Sequence, residues 1–261
     1  MNSIVALARQ PAPAPLRLRV VCLPHAGGGT AAYQGWPSLV PDDVEVWAAR
    51  LPGRENRFLE APVEEMAVLV DGLFAEVAAI ADQPYALFGH SMGAVVAFAL
   101  CLRLEQGSVP PPALLIASGH EAPHTDWSRN YHLLGDHELT ALLSSLSGTP
   151  PEVLSDPQVM ELFLPTIRAD LALLETYRPG IDERVGCPVV TYIGADDDLQ
   201  PEAVSRWDEL TTGPCTHRVF PGGHFYLDQQ RAEVVACVVA DATAAMAGRP
   251  LLESSSVGPA T

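Results

Sequence analysis

The chain has 261 residues, 48% hydrophobic and 18% charged, which suits one soluble α/β domain with a substantial core. Fifteen Lys and Arg against 32 Asp and Glu give a formal charge of −17, which disfavours nucleic acid and anionic membrane as partners. Five scattered cysteines (Cys22, Cys101, Cys187, Cys215, Cys237) with no C-x-x-C pair read as reduced, packed thiols of a cytoplasmic protein, and no apolar stretch is long enough to span a bilayer.

In chain order, the apolar run Ile4-Val5-Ala6-Leu7-Ala8 is cut short by Arg9 and the Pro/Ala stretch up to Pro15. It is too short for a secretory signal, and residues 1–15 are expected to form a flexible leader. From 16 to 247 the pattern is that of a single domain. Short β-branched runs at Leu18–Leu23, Val44–Ala49, 85–88, 114–117 and 189–193, with a sixth at 217–220, read as buried parallel strands. Helical patterns lie between them at 64–80, 92–104, 201–210 and Arg231–Met246. Strands alternating with helices predict a mostly parallel sheet covered on both faces, with functional groups at the carboxyl ends of its strands. The tail 248–261, with its serine run, is expected to be flexible.

One stretch breaks the alternation. From about 120 to 180 there is no convincing strand, but leucine-rich helical patterns at 135–146, 157–163 and 164–177, punctuated by Pro150, Pro151, Pro157 and Pro165. An all-helical insertion after a strand end reads as a lid above the sheet rather than as a crossover.

The chemistry is marked by Gly89-His90-Ser91-Met92-Gly93, which directly joins a strand pattern to a helix pattern. That is the context of a nucleophile elbow, where glycines two residues either side of the serine let a very sharp turn form. A serine hydroxyl needs an adjacent base, and the base needs a carboxylate to fix its tautomer, following in the order Ser, Asp/Glu, His on an α/β-hydrolase sheet. His224, in Phe220-Pro221-Gly222-Gly223-His224-Phe225 between the last strand and last helix, is the best base of eight histidines. The acid should follow strand 189–193, where Asp196, Asp197 and Asp198 stand in a row and any one of them could face His224. The triplet lacks the spaced pattern of a calcium loop. The oxyanion hole needs two backbone N–H donors. Met92 supplies one, and the loop Pro24-His25-Ala26-Gly27-Gly28-Gly29 after the first core strand supplies the other. This loop has neither the Walker lysine nor the dinucleotide glycine spacing, so no cofactor is expected.

Four segments in order, Leu23-Pro24-His25-Ala26-Gly27-Gly28, Leu51-Pro52-Gly53-Arg54-Glu55-Asn56-Arg57, Gly89-His90-Ser91-Met92-Gly93 and Gly222-Gly223-His224-Phe225, together resemble the type II thioesterases of polyketide and non-ribosomal peptide biosynthesis. The resemblance covers the chain from about Leu18 to Asp241. It implies an α/β-hydrolase fold with a helical lid insertion, and hydrolysis of acyl thioesters on the phosphopantetheine arm of an acyl or peptidyl carrier protein, clearing aberrant or stalled chains. It implies Ser91 as nucleophile, His224 as base, and Ala26 with Met92 as oxyanion donors. The acid of the family stands three residues after the strand-end glycine, which is Asp197 here, although Asp198 follows where proline is usual. The protein is expected to act as a monomer. A lid over the sheet would place an acyl pocket beneath Leu139, Leu142, Leu143 and Leu146, with His25 on the first loop beside it. Arg54 and Arg57 are read as holding a structural turn by ion pairs. The alternatives are an esterase or acyltransferase on the same fold, or a binding module that has lost the chemistry.

Overall fold

The computed structural model describes residues 4–7, 15–125, 129–146, 151–180 and 182–251. Seven strands, β1 (Ile4–Ala6), β2 (Leu18–Leu23), β3 (Val44–Ala49), β4 (Tyr85–His90), β5 (Leu114–Ser118), β6 (Val189–Gly194) and β7 (Cys215–Phe220), lie in the order β1-β3-β2-β4-β5-β6-β7. All neighbours from β3 to β7 are parallel. Side chains alternate across the pleat. Val21, Leu23, Leu87 and Leu115 pack in one core with helices α1 (Met66–Ile80) and α2 (Met92–Glu105). Val20, Cys22, Phe88, Ile116 and Val190 pack in the other with Val234, Val235 and Val238 of the last helix, Arg231–Met246. Helix α1 buries Met66, Leu69, Val70, Leu73, Val77 and Ile80, a stripe at helical spacing. Helix α2 is apolar all round because it is wedged between sheet, α1 and a helix of the insertion.

The insertion between β5 and β6 is helical, as expected: α3 (Asp136–Leu146), α4 (Pro151–Leu154) and α5 (Pro157–Thr176). It has a small core of its own, built from Leu139, Met160, Leu164, Ile167 and Leu171. The two helices expected at 157–163 and 164–177 are one, with Pro165 inside it. Short helices α6 (Pro201–Ser205) and α7 (Tyr226–Gln229) follow, and Arg231–Met246 is α8.

Two expectations for the chain ends need correction. Ile4–Ala6, placed in the leader, forms an antiparallel edge strand on β3, with Val5 opposite Ala48. At the other end Leu251 is buried against the core of α8 rather than lying in a free tail. The rest of both segments lies outside the described residues. Among the described residues no helix is long and apolar enough to cross a membrane.

Candidate active site

Ser91 sits between the last residue of β4 and the first of α2 with φ 54° and ψ −119°, a conformation that side chains rarely adopt and that costs about 1–3 kcal/mol. Its N–H donates to Ser118 O of β5 at 2.7 Å, which pins the turn to the sheet. The flanking glycines are dictated by space: a Cβ on Gly89 would come 1.9 Å from Gly93 O, and one on Gly93 would come 2.1 Å from Leu23 O. The strained serine therefore protrudes where the ends of β2, β4 and β5 are in register, Leu23 opposite Gly89 and His90 opposite Ser118.

The loops after β6 and β7 bring the acid and the base together. Asp196 N–H donates to Gly222 O at 2.9 Å and Ala195 N–H to Phe220 O at 2.8 Å. The two backbones approach this closely because residue 194 is glycine, where a Cβ would lie 2.3 Å from Gly223 O. His224 Nδ1–H donates to Asp197 Oδ2 at 2.9 Å, with the Asp197 side chain 6% exposed, while Asp196 and Asp198 are exposed. That bond leaves Nε2 of His224 as the nitrogen with a free lone pair. Behind His224, at 5.2 Å between ring centroids, lies the buried His90, whose Nδ1 pairs with Ser118 Oγ at 2.8 Å. Ser118 Oγ in turn meets Tyr226 Oη at 2.6 Å.

Ala26 stands in a tight turn closed by Gly28 N–H to His25 O at 2.9 Å. Among the described residues no backbone carbonyl accepts from the Ala26 or the Met92 amide. The Arg54 and Arg57 pairs form, but only one is local. Arg57 binds Glu60, three residues on, whereas Arg54 reaches Asp170 on α5.

Ser91, Asp197, His224, His25 and Ala26 all line one cavity of about 420 Å³. Its apolar wall comes from Leu142 and Leu143 of α3, Val153 of α4, and Met160, Phe163, Ile167, Leu171 and Leu174 of α5. Leu139 does not line it; this side chain faces inward to fill the core of the insertion. The Leu146 side chain lies outside the described residues. Pro165 hides the α5 contribution in the sequence by reading as a break, although residues 160, 164, 167, 171 and 174 keep one helical stripe. Burial lowers the pKa of His25 and of His120, which also lines the cavity, to about 4, and pushes that of His90 well below 6.5. The site thus carries neutral imidazoles around His224.

Among the described residues one group, Asp208, Cys215 and His217, has metal-ligand chemistry, and none of the three lines the cavity. His217 Nε2 is already paired with Asp208 at 3.2 Å, and burial holds the Cys215 thiol protonated.

A parallel sheet of this order, with a strained serine turn after its central strand and a helical insertion before β6, is the α/β-hydrolase architecture. Within it, the chain belongs to the thioesterase domain family, whose model matches residues 18–241. It is similar to the gramicidin S biosynthesis protein GrsT of Aneurinibacillus migulanus, 35% identical over 221 residues, 84% of this chain and 86% of the relative. Among solved structures it resembles the type II thioesterase BorB from the borrelidin biosynthetic cluster, with 37% identity, TM-score 0.82, and 93% and 98% of the two chains covered. It also resembles the thioesterase RedJ from the prodiginine pathway of Streptomyces coelicolor, with 34% identity, TM-score 0.82, and 89% and 88% covered.

Proposed function

We propose that this thioesterase edits an assembly line for polyketides or non-ribosomal peptides. It hydrolyses acyl thioesters from the phosphopantetheine arm of carrier proteins, acting in the cytoplasm as a monomer and with the 120–180 insertion as its lid. His224 Nε2 takes the proton of Ser91 Oγ as the hydroxyl attacks the thioester carbonyl. The Ala26 and Met92 amides hold the negative oxygen of the tetrahedral intermediate. The C–S bond breaks, His224 returns its proton to the pantetheine thiol, and the acyl group remains on Ser91. Water attacks that ester, again losing a proton to His224, which passes it to Ser91 Oγ as the acyl C–O bond breaks and the free acid leaves. Asp197 keeps His224 in the tautomer with the proton on Nδ1 and stabilises the imidazolium that forms at each step.

The observation that carries the reading is the placing of the strained Ser91 and the Asp197-bound His224 on one apolar-walled cavity. Relatives named for gramicidin S, borrelidin and prodiginine biosynthesis support the assembly-line substrate. The test compares acyl-carrier thioesters with p-nitrophenyl esters, for wild type and Ser91→Ala. Wild type is expected to favour the carrier thioester by kcat/KM, and Ser91→Ala to lose both activities, and fluorophosphonate labelling, while keeping its fold. Full activity in Ser91→Ala would remove the serine from the mechanism. A preference for the small ester would favour the esterase alternative.

A further inference from the structure

The Pro52-Gly53-Arg54-Glu55 segment has no part in the steps above, yet it is built into the loop that carries Ala26. Arg54 and Asp170 are both buried, their side chains 5% and 3% exposed. Arg54 Nη1 donates to Asp170 Oδ2 at 2.8 Å and Nη2 to Oδ1 at 2.7 Å, a bidentate pair. The same atoms then reach the loop. Asp170 Oδ2 accepts the Gly27 N–H at 2.7 Å, and Arg54 Nη1 donates to Gly28 O at 2.9 Å. One residue further, Glu55 Oε1 accepts the Thr30 N–H at 2.6 Å and the Thr30 hydroxyl at 2.8 Å. Residues 27, 28 and 30 are therefore each held by a charged group, and the residue just before them is Ala26, whose amide has been left without a backbone acceptor.

Stability alone is a poor account of this pair. Burying two charges costs about what their attraction returns, so a well-packed apolar pair would serve the fold as well. What an apolar pair cannot do is grip a peptide N–H on one side and a C=O on the other. We infer that Arg54 and Asp170 are positioning residues that aim the Ala26 amide at the oxyanion by clamping Gly27 and Gly28. Because Asp170 sits on α5, the aim of the hole also depends on that helix being seated. The inference rests on the serine acyl-enzyme reading above.

A misaimed amide weakens a contact made fully only in the transition state, so the loss belongs in kcat and not in KM. Hydrogen bonds weaken steeply with angle, and removing an oxyanion donor altogether costs about 10²–10³ in kcat. A tilted donor should cost about 10–100-fold. The experiment uses the full chain with an acyl-pantetheine thioester, an alkylboronic acid as tetrahedral probe on Ser91, and a non-hydrolysable amide analogue as ground-state probe. The variants are Asp170→Asn, Arg54→Lys and the double Arg54→Met/Asp170→Leu. Expected are a fall in kcat and in boronate affinity by similar factors, KM and amide affinity within about threefold, and a double variant whose Tm stays near wild type. A folded double variant with wild-type kcat overturns the inference, as does a loss that appears equally in KM. Should the double variant not fold, Arg54→Lys decides, since lysine keeps the charge but cannot make the fork; wild-type kcat there overturns it. Wild type and Ser91→Ala run alongside. If wild type fails to hydrolyse the thioester, the underlying mechanism fails; if wild type is active and the clamp variants match it, only the clamp fails.

Discussion

Asp197 differs from the aspartates on either side of it in where its carboxylate ends up. It is nearly sealed from solvent and bonded to His224 Nδ1, while Asp196 and Asp198 are exposed. Replacing it with asparagine keeps the shape but offers an amide N–H to Nδ1, which moves the imidazole proton to Nε2, where it blocks uptake of the serine proton. Asp197→Asn is therefore expected to lower kcat by about 10³–10⁴, with Asp196→Asn and Asp198→Asn within about threefold of wild type, read in steady-state hydrolysis of an acyl thioester. A near-silent Asp197→Asn would shift the acid to a neighbour. The residues alone could not make this choice, because three adjacent side chains point three ways. Direction is fixed by the Asp196–Gly222 backbone bond, a contact between loops 26 residues apart. Ser91 and His224 were legible because their demands are local: glycines at fixed offsets for one, a glycine pair between a strand and a helix for the other. Asp170 was not. A single aspartate in a leucine-rich helix reads as its solvent face, and only the fold shows that it meets Arg54, 116 residues away.

On the proposed function, the helices of the insertion decide what the cavity can accept. Its apolar wall is supplied by the insertion helices α3, α4 and α5. Each methylene an acyl chain buries there contributes about 0.8 kcal/mol, roughly a fourfold gain, until the space is full. The kcat/KM of saturated acyl thioesters should therefore rise with length from acetyl and then level off. Leu143→Trp, which adds bulk to the wall, should bring the plateau to shorter chains while leaving the acetyl rate within about twofold. A profile flat from acetyl to decanoyl would mean that the cavity does not hold the chain. The existence of these helices could be read from leucine spacing, but the continuity of α5 could not. Pro165 costs its helix about 3 kcal/mol, and on propensity alone it ends there. Burial of Met160, Leu164, Ile167, Leu171 and Leu174, at about 1.5–3 kcal/mol each, exceeds that cost and carries the helix through.

Across the whole molecule, the parallel sheet followed from its β-branched runs, since buried central strands must be apolar on both faces. The strand at Ile4–Ala6 did not, because three apolar residues carry no period and only the free edge of β3 gives them a partner. The assembled sheet also sets a property of the fold as a unit, its response to acid. His90 and His120 are buried at the carboxyl edge of the sheet, and burial lowers the pKa of His120 to about 4 and that of His90 well below 6.5. In the unfolded chain both titrate near 6.5. Between pH 6.5 and 4 the unfolded state therefore binds more protons than the folded one, so stability is full above 6.5 and is lost as the pH falls. For His120 the loss amounts to about 3 kcal/mol at the acid end. Two other effects need separating from it. Acidification also reduces the self-repulsion of a chain with formal charge −17, which works the other way but is screened at about 0.3 M salt. Carboxylates held low by arginine partners, such as Glu209 by Arg206, lose their contribution only below their ordinary range, near pH 4.5. Urea unfolding at pH 7, 6 and 5 in that salt should therefore show a steady loss of stability, and His120→Gln, which cannot titrate, should flatten the slope by up to about 1.4 kcal/mol per pH unit. A slope unchanged in His120→Gln would show that this imidazole is protonated in the folded protein as readily as in the unfolded chain.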